Sequence, residues 1–426
     1  MDKKLRVAIV GSGISGMVCA YFLNKEYDIK FYEKNDYIGG HSNTVDINYE
    51  GKKIAVDTGF IVFNHQTYPN LKAFFELLNV AYEQSKMSFA VKIGDSKIEY
   101  AGTNLNAVFA QRKNLLNPRF IRMLFDILRF NKTAQNLLNQ DCKLDYSMMS
   151  FLKDLKVSKY FCDYYLLPMA SAIWSTPLDK INDYPASSFV RFFKNHGLLT
   201  VSDQPQWLTV SGGSKQYVKK VCADLNDKIS LNDAVQNIYQ NAEKKWVVES
   251  QKSTEIFDKI VIATHADQAL KFLQNPTNLQ KEILSSFTYQ KNIAILHKDC
   301  SVMPKAKKAW ASWVYSHNSS AKNVAKNNLS VSYWMNNLQN INQSYPLFVT
   351  LNPNIEINPK NIFAKFEYEH PIFDAKAVKA QTRIDEIQGK DNIYFCGAYQ
   401  SFGFHEDGIS SGLRVLNKMQ IKAPWQ

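Results

Sequence analysis

Short apolar runs, each closed by glycine or a polar residue, punctuate the start of the chain. Residues 5–10, Leu-Arg-Val-Ala-Ile-Val, predict a buried strand, an amphipathic run to Leu23 predicts a helix, and residues 29–32 predict a second strand. The alternation returns later. Tyr217, Val218, Val221, Cys222 and Leu225 share one helical face, and strands are expected over 229–235, in a hairpin around Trp246 to Glu249, and over 257–264. A last strand over 393–399 precedes an expected helix over 409–419. Between these stretches, residues 75–205 read as helix-rich, whereas 271–387 read as strands, with candidates at 294–297, 311–315, 331–334 and 348–351. The recurring strand and helix signals predict an α/β chain.

The turn between the first strand and the first helix is Gly11-Ser12-Gly13-Ile14-Ser15-Gly16. Gly11 permits the tight turn, Gly13 lets the backbone approach a pyrophosphate, and Gly16 lets the helix pack on the strand. The helix start supplies free N–H groups and a positive dipole end for phosphate. Glu33 closes the second strand, twenty positions after Gly13, where a carboxylate can hydrogen-bond a ribose diol. This unit is built for a dinucleotide, and NAD and FAD both use it.

Composition narrows the class. With 426 residues, 45% hydrophobic and 21% charged, the chain has an ordinary globular composition and room for two or three domains. Its net charge of +12 is spread without a block of like charges or a nucleic-acid module, so no nucleic-acid partner is expected. Six scattered cysteines, with no Cys-x-x-Cys pair, suggest a reduced, cytoplasmic protein without a metal site. No apolar run reaches the roughly 18 residues of a membrane span.

After Glu33 the chain runs Lys34-Asn-Asp-Tyr-Ile-Gly39-Gly40-His41-Ser42, then Val56-Asp57-Thr58-Gly59-Phe60. This resembles the amine-oxidase-like flavoprotein superfamily, although many members carry Arg where this chain has His41. The resemblance implies FAD as cofactor and an α/β fold: a Rossmann-like FAD-binding domain of the amine-oxidase/glutathione-reductase type with an inserted mixed α+β substrate domain. The FAD-binding domain would comprise 1–74, 205–270 and 388–426, and the substrate domain 75–204 and 271–387. To Gly11, Gly13, Ile14, Ser15, Gly16 and Glu33 it adds, as cofactor-binding residues, Lys34, Gly39, Gly40, His41, Ser42, Thr58, Gly59, Phe60, Val235, Ala263, Thr264, Gly397, Glu406, Asp407, Gly408 and Ile409. In the carboxyl-terminal element, Asp407 is expected to cap the last helix, and Gly408, Ser410, Ser411 and Gly412 to leave room for a flat ring.

Further motifs point to one branch. They include Tyr68-Pro-Asn-Leu71, Ser171-Ala-Ile-Trp-Ser-Thr176, Asn195-His196-Gly197, Trp310-Ala-Ser-Trp313, Thr350-Leu-Asn-Pro353 and His370-Pro371. They are similar to oxidoreductases associated with cyclopropane-fatty-acid synthases. That resemblance implies hydride transfer to flavin from an acyl chain of a fatty acid or phospholipid, and a methyltransferase of that kind as partner. A flavin amine oxidase of small amines and a non-catalytic flavin-binding partner remain the alternatives. Tyr399, by resemblance, and His405, as a proton acceptor at neutral pH, are the catalytic candidates, with His41, Glu406 and His370 beside them. One helical stripe, Phe120, Met123, Leu124, Ile127 and Leu128 edged by Arg119, Arg122, Arg129 and Lys132, fits either a core face or a peripheral contact at the inner face of a membrane.

Overall fold

Alternation within the first strand, Arg6–Val10, sets up two packing layers. The computed structural model describes residues 4–94, 97–138, 146–174, 184–195, 198–200, 204–317 and 329–426; Cys142, the Ser175-Thr176 pair and His196-Gly197 lie outside the described residues. Val7 and Ile9 face one way, into a core with Met17, Leu23, Leu413 and Leu416. Ala8 and Val10 face the other way, against Val235, Ile238, Trp246 and Phe257. Burial on both faces explains why this strand is almost wholly apolar.

Its sheet has five parallel strands in the order Ile229–Ser230, Asp28–Tyr32, Arg6–Val10, Lys259–Ile262 and Ile393–Phe395. Widely separated stretches of the chain thus meet in one layer. The first helix, Ile14–Glu26, and the last, His405–Lys418, cover one face together; an antiparallel sheet of Val235–Gln240, Trp246–Ser250 and Thr254–Phe257 covers the other. The expected strand over 229–235 is two elements: it stops at Ser230, and the left-handed Asn232 turns the chain before Val235 opens the next sheet.

A seven-stranded sheet runs in the order Ile362–Ile372, Thr288–His297, Phe348–Leu351, Leu329–Trp334, Trp313–His317, Phe89–Ile93 and Ile98–Ala101. The last two strands come from the stretch read as helical; their alternating cores, with Val91, Ile98 and Tyr100 buried, join the helices to the sheet. Pro118–Leu137, Met148–Leu155, Leu167–Trp174 and Ala186–Asn195 pack there around Phe120, Phe130, Phe161, Phe189 and Phe193. In the first of these helices Phe120 and Met123 are core, and Phe125 and Leu128 point outward.

Candidate functional site

The glycine turn divides into glycines that pack and one that faces open space. A side-chain carbon on Gly11 would stand 2.9 Å from the Ala263 carbonyl oxygen and from Thr264 Cγ2; on Gly16 it would fall 2.0 Å from the Gly11 carbonyl oxygen. On Gly13, the N-cap of the first helix, it would meet nothing within 4 Å. Gly40, in the left-handed region, lies against Gly13 with its would-be side-chain carbon 3.3 Å from the Gly13 Cα. Open backbone at a helix N-terminus, walled by a second glycine pair, fits the pyrophosphate of a dinucleotide.

Glu33 is buried at the end of the second strand. Its carboxylate accepts from the Ser12 backbone N–H at 3.1 Å, the Ser12 hydroxyl at 2.5 Å and the Asn35 N–H at 2.9 Å, so it also braces the glycine turn. Ser12 Oγ in turn accepts from the Gly39 N–H at 3.2 Å. Beyond the glycine pair the chain folds back on itself: the Phe60 N–H donates to the His41 carbonyl at 2.7 Å, and a side-chain carbon on Gly59 would lie 2.2 Å from that oxygen. Ala263, whose N–H donates to Val10, and Thr264 close the turn from the next strand, while Lys34 lies exposed nearby. Val235 is buried at a register shift in its sheet.

Four imidazoles gather around this turn. His41 stacks on Tyr368 at 4.9 Å and meets His370 at 5.3 Å; its Nε2 is buried without a hydrogen-bond partner. His370 Nδ1 lies 2.8 Å from Asn292 Nδ2. His405 stacks on Phe60 at 3.8 Å, and its Nε2 is 2.8 Å from Ser42 Oγ, which is also hydrogen-bonded to the Tyr217 hydroxyl. His265 stacks on Tyr289 at 4.3 Å, its Nδ1 3.4 Å from a Glu369 oxygen but outside hydrogen-bond geometry. Burial first, and then the competing neighbouring imidazoles, with Lys34 beside His265, lower His41 and His265 to about 4 and His370 and His405 to about 3. All four rings are neutral at pH 7. The orphaned Nε2 of His41, a polar atom seldom left unpaired, fits a site completed by a polar ligand.

Asp57, Glu406 and Asp407 are held by protein donors, whereas Glu369 faces His265 at 3.4 Å. Asp57, fully buried and raised to about 6 by burial, accepts from the Ser214 N–H at 2.9 Å, the Ser214 hydroxyl at 2.7 Å, Thr44 Oγ1 at 2.5 Å and Gln339 Nε2 at 2.8 Å. Thr58 Oγ1 bonds the Tyr368 hydroxyl at 2.8 Å. Glu406, expected beside the cofactor, instead accepts from the N–H groups of Asn70 and Leu71 at 3.1 and 3.0 Å and from Asn70 Nδ2 at 2.8 Å. It thereby caps the helix Pro69–Leu77.

The last helix departs from its expected start. It begins at His405 rather than Ile409, because Asp407 reaches back to accept from the Phe404 N–H at 2.9 Å; Asp407 therefore stands at the third helical position instead of the N-cap. Burial raises Asp407 to about 6. The space expected for a flat ring at Gly408 and Gly412 is filled by the first helix: side-chain carbons there would lie 2.6 Å from Ile14 Cγ2 and 2.4 Å from Val18 Cγ1. Ile409 is buried in the same contact. The Gly397 N–H donates to Ser411 Oγ at 2.9 Å.

Tyr399 and His405 are not brought together. Tyr399 sits in the core on the far face of the sheet, its ring edge on Phe287 at 4.8 Å, and burial raises its hydroxyl well above the ordinary range. Sequence reasoning passed over Tyr217, Tyr368, His265 and Asn43, whose Nδ2 donates to the Tyr368 hydroxyl at 3.0 Å. Tyr368 had a usable signal: it stands two positions before His370 on one strand, hence on the same face. The helical region reaches the site through aromatic rings, with Phe192 stacked on Phe404 at 5.0 Å and 5.7 Å from Phe402. A separate cleft of about 730 Å³, lined by Ile38, Val218, Cys222, Ile229 and Lys252 among others, shares none of these residues. No group of three or more His, Cys, Asp or Glu suited to a metal occurs among the described residues.

Comparison with known proteins places the fold. The sequence pattern of NAD(P)-binding Rossmann-like domains matches residues 9–78. No curated protein sequence matches the chain. Solved structures match over nearly its whole length. The CLA-producing fatty acid isomerase from P. acnes is 13% identical with a TM-score of 0.67, covering 99% of this chain and 100% of that one. Putrescine oxidase bound to putrescine is 13% identical with a TM-score of 0.68 and coverage of 98% and 99%. Cyclohexylamine oxidase from Brevibacterium oxydans IH-35A is 13% identical with a TM-score of 0.66 and coverage of 98% and 100%. The chain thus has a Rossmann-based α/β fold of the flavin amine-oxidase type.

Proposed function

We propose that the protein is an FAD-dependent oxidoreductase that takes hydrogen from an acyl chain of a fatty acid or phospholipid. One observation carries the substrate class: the imidazoles at the site are neutral and stacked on aromatic rings, and Glu33, Asp57, Glu406 and Asp407 are each engaged by protein donors. An alkylammonium entering there would have to displace those donors from a carboxylate or reach Glu369 beside His265. An acyl chain brings no such charge. The aromatic contact of Phe192 with Phe402 and Phe404 gives it an apolar wall beside the start of the last helix.

FAD, when bound, supplies the two-electron acceptor. Gly13 and the first helix would hold its pyrophosphate, and Glu33 its ribose. Desaturation would take two hydrogens from neighbouring carbons, with FAD supplying the hydride acceptor and a protein base taking the proton, so that a double bond is left. His405 is the base the geometry offers, buried and linked through Nε2 to Ser42; burial weakens it as a proton acceptor. Ser42 and Tyr217 fix the ring against Phe60. The fatty acid isomerase among the structural neighbours supports an acyl substrate, and the resemblance to oxidoreductases found with cyclopropane-fatty-acid synthases supports a lipid methyltransferase as functional partner.

Mass spectrometry of unsaturated phospholipids incubated with the flavin-loaded protein tests the reading. Loss of two hydrogens from the acyl chain is expected. Unaltered lipid together with turnover of small amines would reverse the assignment.

A further inference from the structure

Ten large apolar side chains of the described residues are exposed, and five of them lie between residues 105 and 128: Leu105, Leu115, Leu116, Phe125 and Leu128. Leu116 is 91% exposed and Phe125 67%. Interleaved with them are Arg112, Lys113, Arg119 and Arg122, followed by Arg129 and Lys132. Between residues 102 and 138 the single acid is Asp126, which is buried and held by Arg129 Nη2 at 2.9 Å and Arg122 Nε at 4.0 Å. The surface of this stretch therefore carries cations without exposed anions.

Local contacts join the elements that carry these residues. Asn117 joins the turn Arg112–Leu116 to the helix Pro118–Leu137 by accepting from the N–H groups of Arg119 and Phe120. Arg112 is hydrogen-bonded to Asn106, tying in the short helix Leu105–Val108 that carries Leu105. Along the longer helix, Arg122, Phe125, Arg129 and Lys132 follow three- and four-residue steps and so share one face. The opposite face, Phe120, Met123, Phe130, Ala134 and Leu137, is core.

We propose that this face docks the protein on an anionic lipid bilayer, with the leucines and Phe125 entering the interface and the cations meeting lipid phosphates. Charge decides among the occupants. A second copy would set one cationic face against another in a two-fold contact. A protein interface core is depleted of lysine, whereas here the apolar pairs Leu115-Leu116 and Phe125 with Leu128 are flanked on both sides by cations. The same helix is close to the proposed site: inside, Phe130 packs on Phe193, whose neighbour Phe192 stacks on Phe404, the residue before His405. The docking inference stands apart from the redox reading, because membrane binding and flavin chemistry are measured separately.

Co-sedimentation of the full flavin-loaded protein with phosphatidylglycerol-containing vesicles and with pure phosphatidylcholine vesicles tests it. Binding is expected to the anionic vesicles, weakening with added salt and weaker by about tenfold or more on phosphatidylcholine. A Leu115→Ser/Leu116→Ser/Phe125→Ser variant and an Arg119→Glu/Lys132→Glu variant should each lose about tenfold or more in vesicle affinity, with melting temperature and bound flavin unchanged. Absence of binding to anionic vesicles at low salt would overturn the proposal. So would parental binding by both variants, or a dimer that the serine variant dissociates.

Discussion

Ser15 Oγ donates to the carbonyl oxygen of Gly408 at 2.8 Å, a bond between residues 393 positions apart that joins the first helix to the last. The two helices can approach this closely because Gly408 and Gly412 offer no side chain to Ile14 and Val18. The glycines near the end of the chain thus serve helix packing, and through it the placing of His405 beside Ser42 and Phe60.

Substituting Gly412→Ala should destabilise the protein by about 1–3 kcal/mol, since the new methyl would stand 2.4 Å from Val18 Cγ1 and 2.9 Å from the Ser15 carbonyl oxygen. Gly408→Val should cost at least as much and also loosen His405. Urea unfolding of both variants checks this. Parental midpoints would show that the helices can separate without penalty.

Gly13 and Gly16 should separate binding from folding. Gly13 has φ −64° and ψ 175°, which any residue adopts, and open space beyond it. Gly13→Val should therefore keep the parental melting temperature while losing flavin affinity by about tenfold or more, because the branched side chain fills the pyrophosphate space. Gly16→Ala drives a methyl to 2.0 Å from the Gly11 carbonyl oxygen and should cost about 3 kcal/mol or more. Flavin retention by Gly13→Val would place the cofactor elsewhere.

Stability should fall on acidification. His41 and His265 at about 4, and His370 and His405 at about 3, lie below the ordinary imidazole value of about 6.5. Below that value the unfolded chain binds the protons that the folded rings refuse. Each ring then withdraws up to about 1.4 kcal/mol of stability per pH unit until its folded value is reached. Asp57 and Asp407, both raised to about 6, act in the opposite sense between about 6 and 4, where the folded chain holds the extra protons. Four rings outweigh two carboxylates, so urea midpoints of the cofactor-free protein should drop from about pH 7 to 4.5, most steeply around pH 6. A flat profile would mean that the imidazoles are charged in the fold.

Much of this fold was legible because its signals are local. A parallel strand buried on both faces reads as Leu-Arg-Val-Ala-Ile-Val, and a glycine turn after it leaves few other meanings. The strands at 294–297, 331–334 and 348–351 were equally plain from their apolar runs. What escaped depends on contacts far along the chain. Nothing near Glu406 tells that it caps a helix beginning at Pro69, and nothing near Gly408 tells that Ile14 fills its space. The helix 118–137 has apolar residues on more than one side, so its periodicity alone could not show that Phe120 would be covered and Phe125 left out. Tyr399 shared a motif with the site, yet its side chain turned into the opposite layer.

The central claim, an FAD enzyme that takes hydrogen from acyl chains, is tested most directly by anaerobic visible titration of the yellow protein. Phospholipids with unsaturated or methylated chains form one series and simple amines the other. Bleaching of the flavin by lipid, with none by amines, is the predicted result. Bleaching by amines alone, or none by any lipid while dithionite still reduces the flavin, would contradict it.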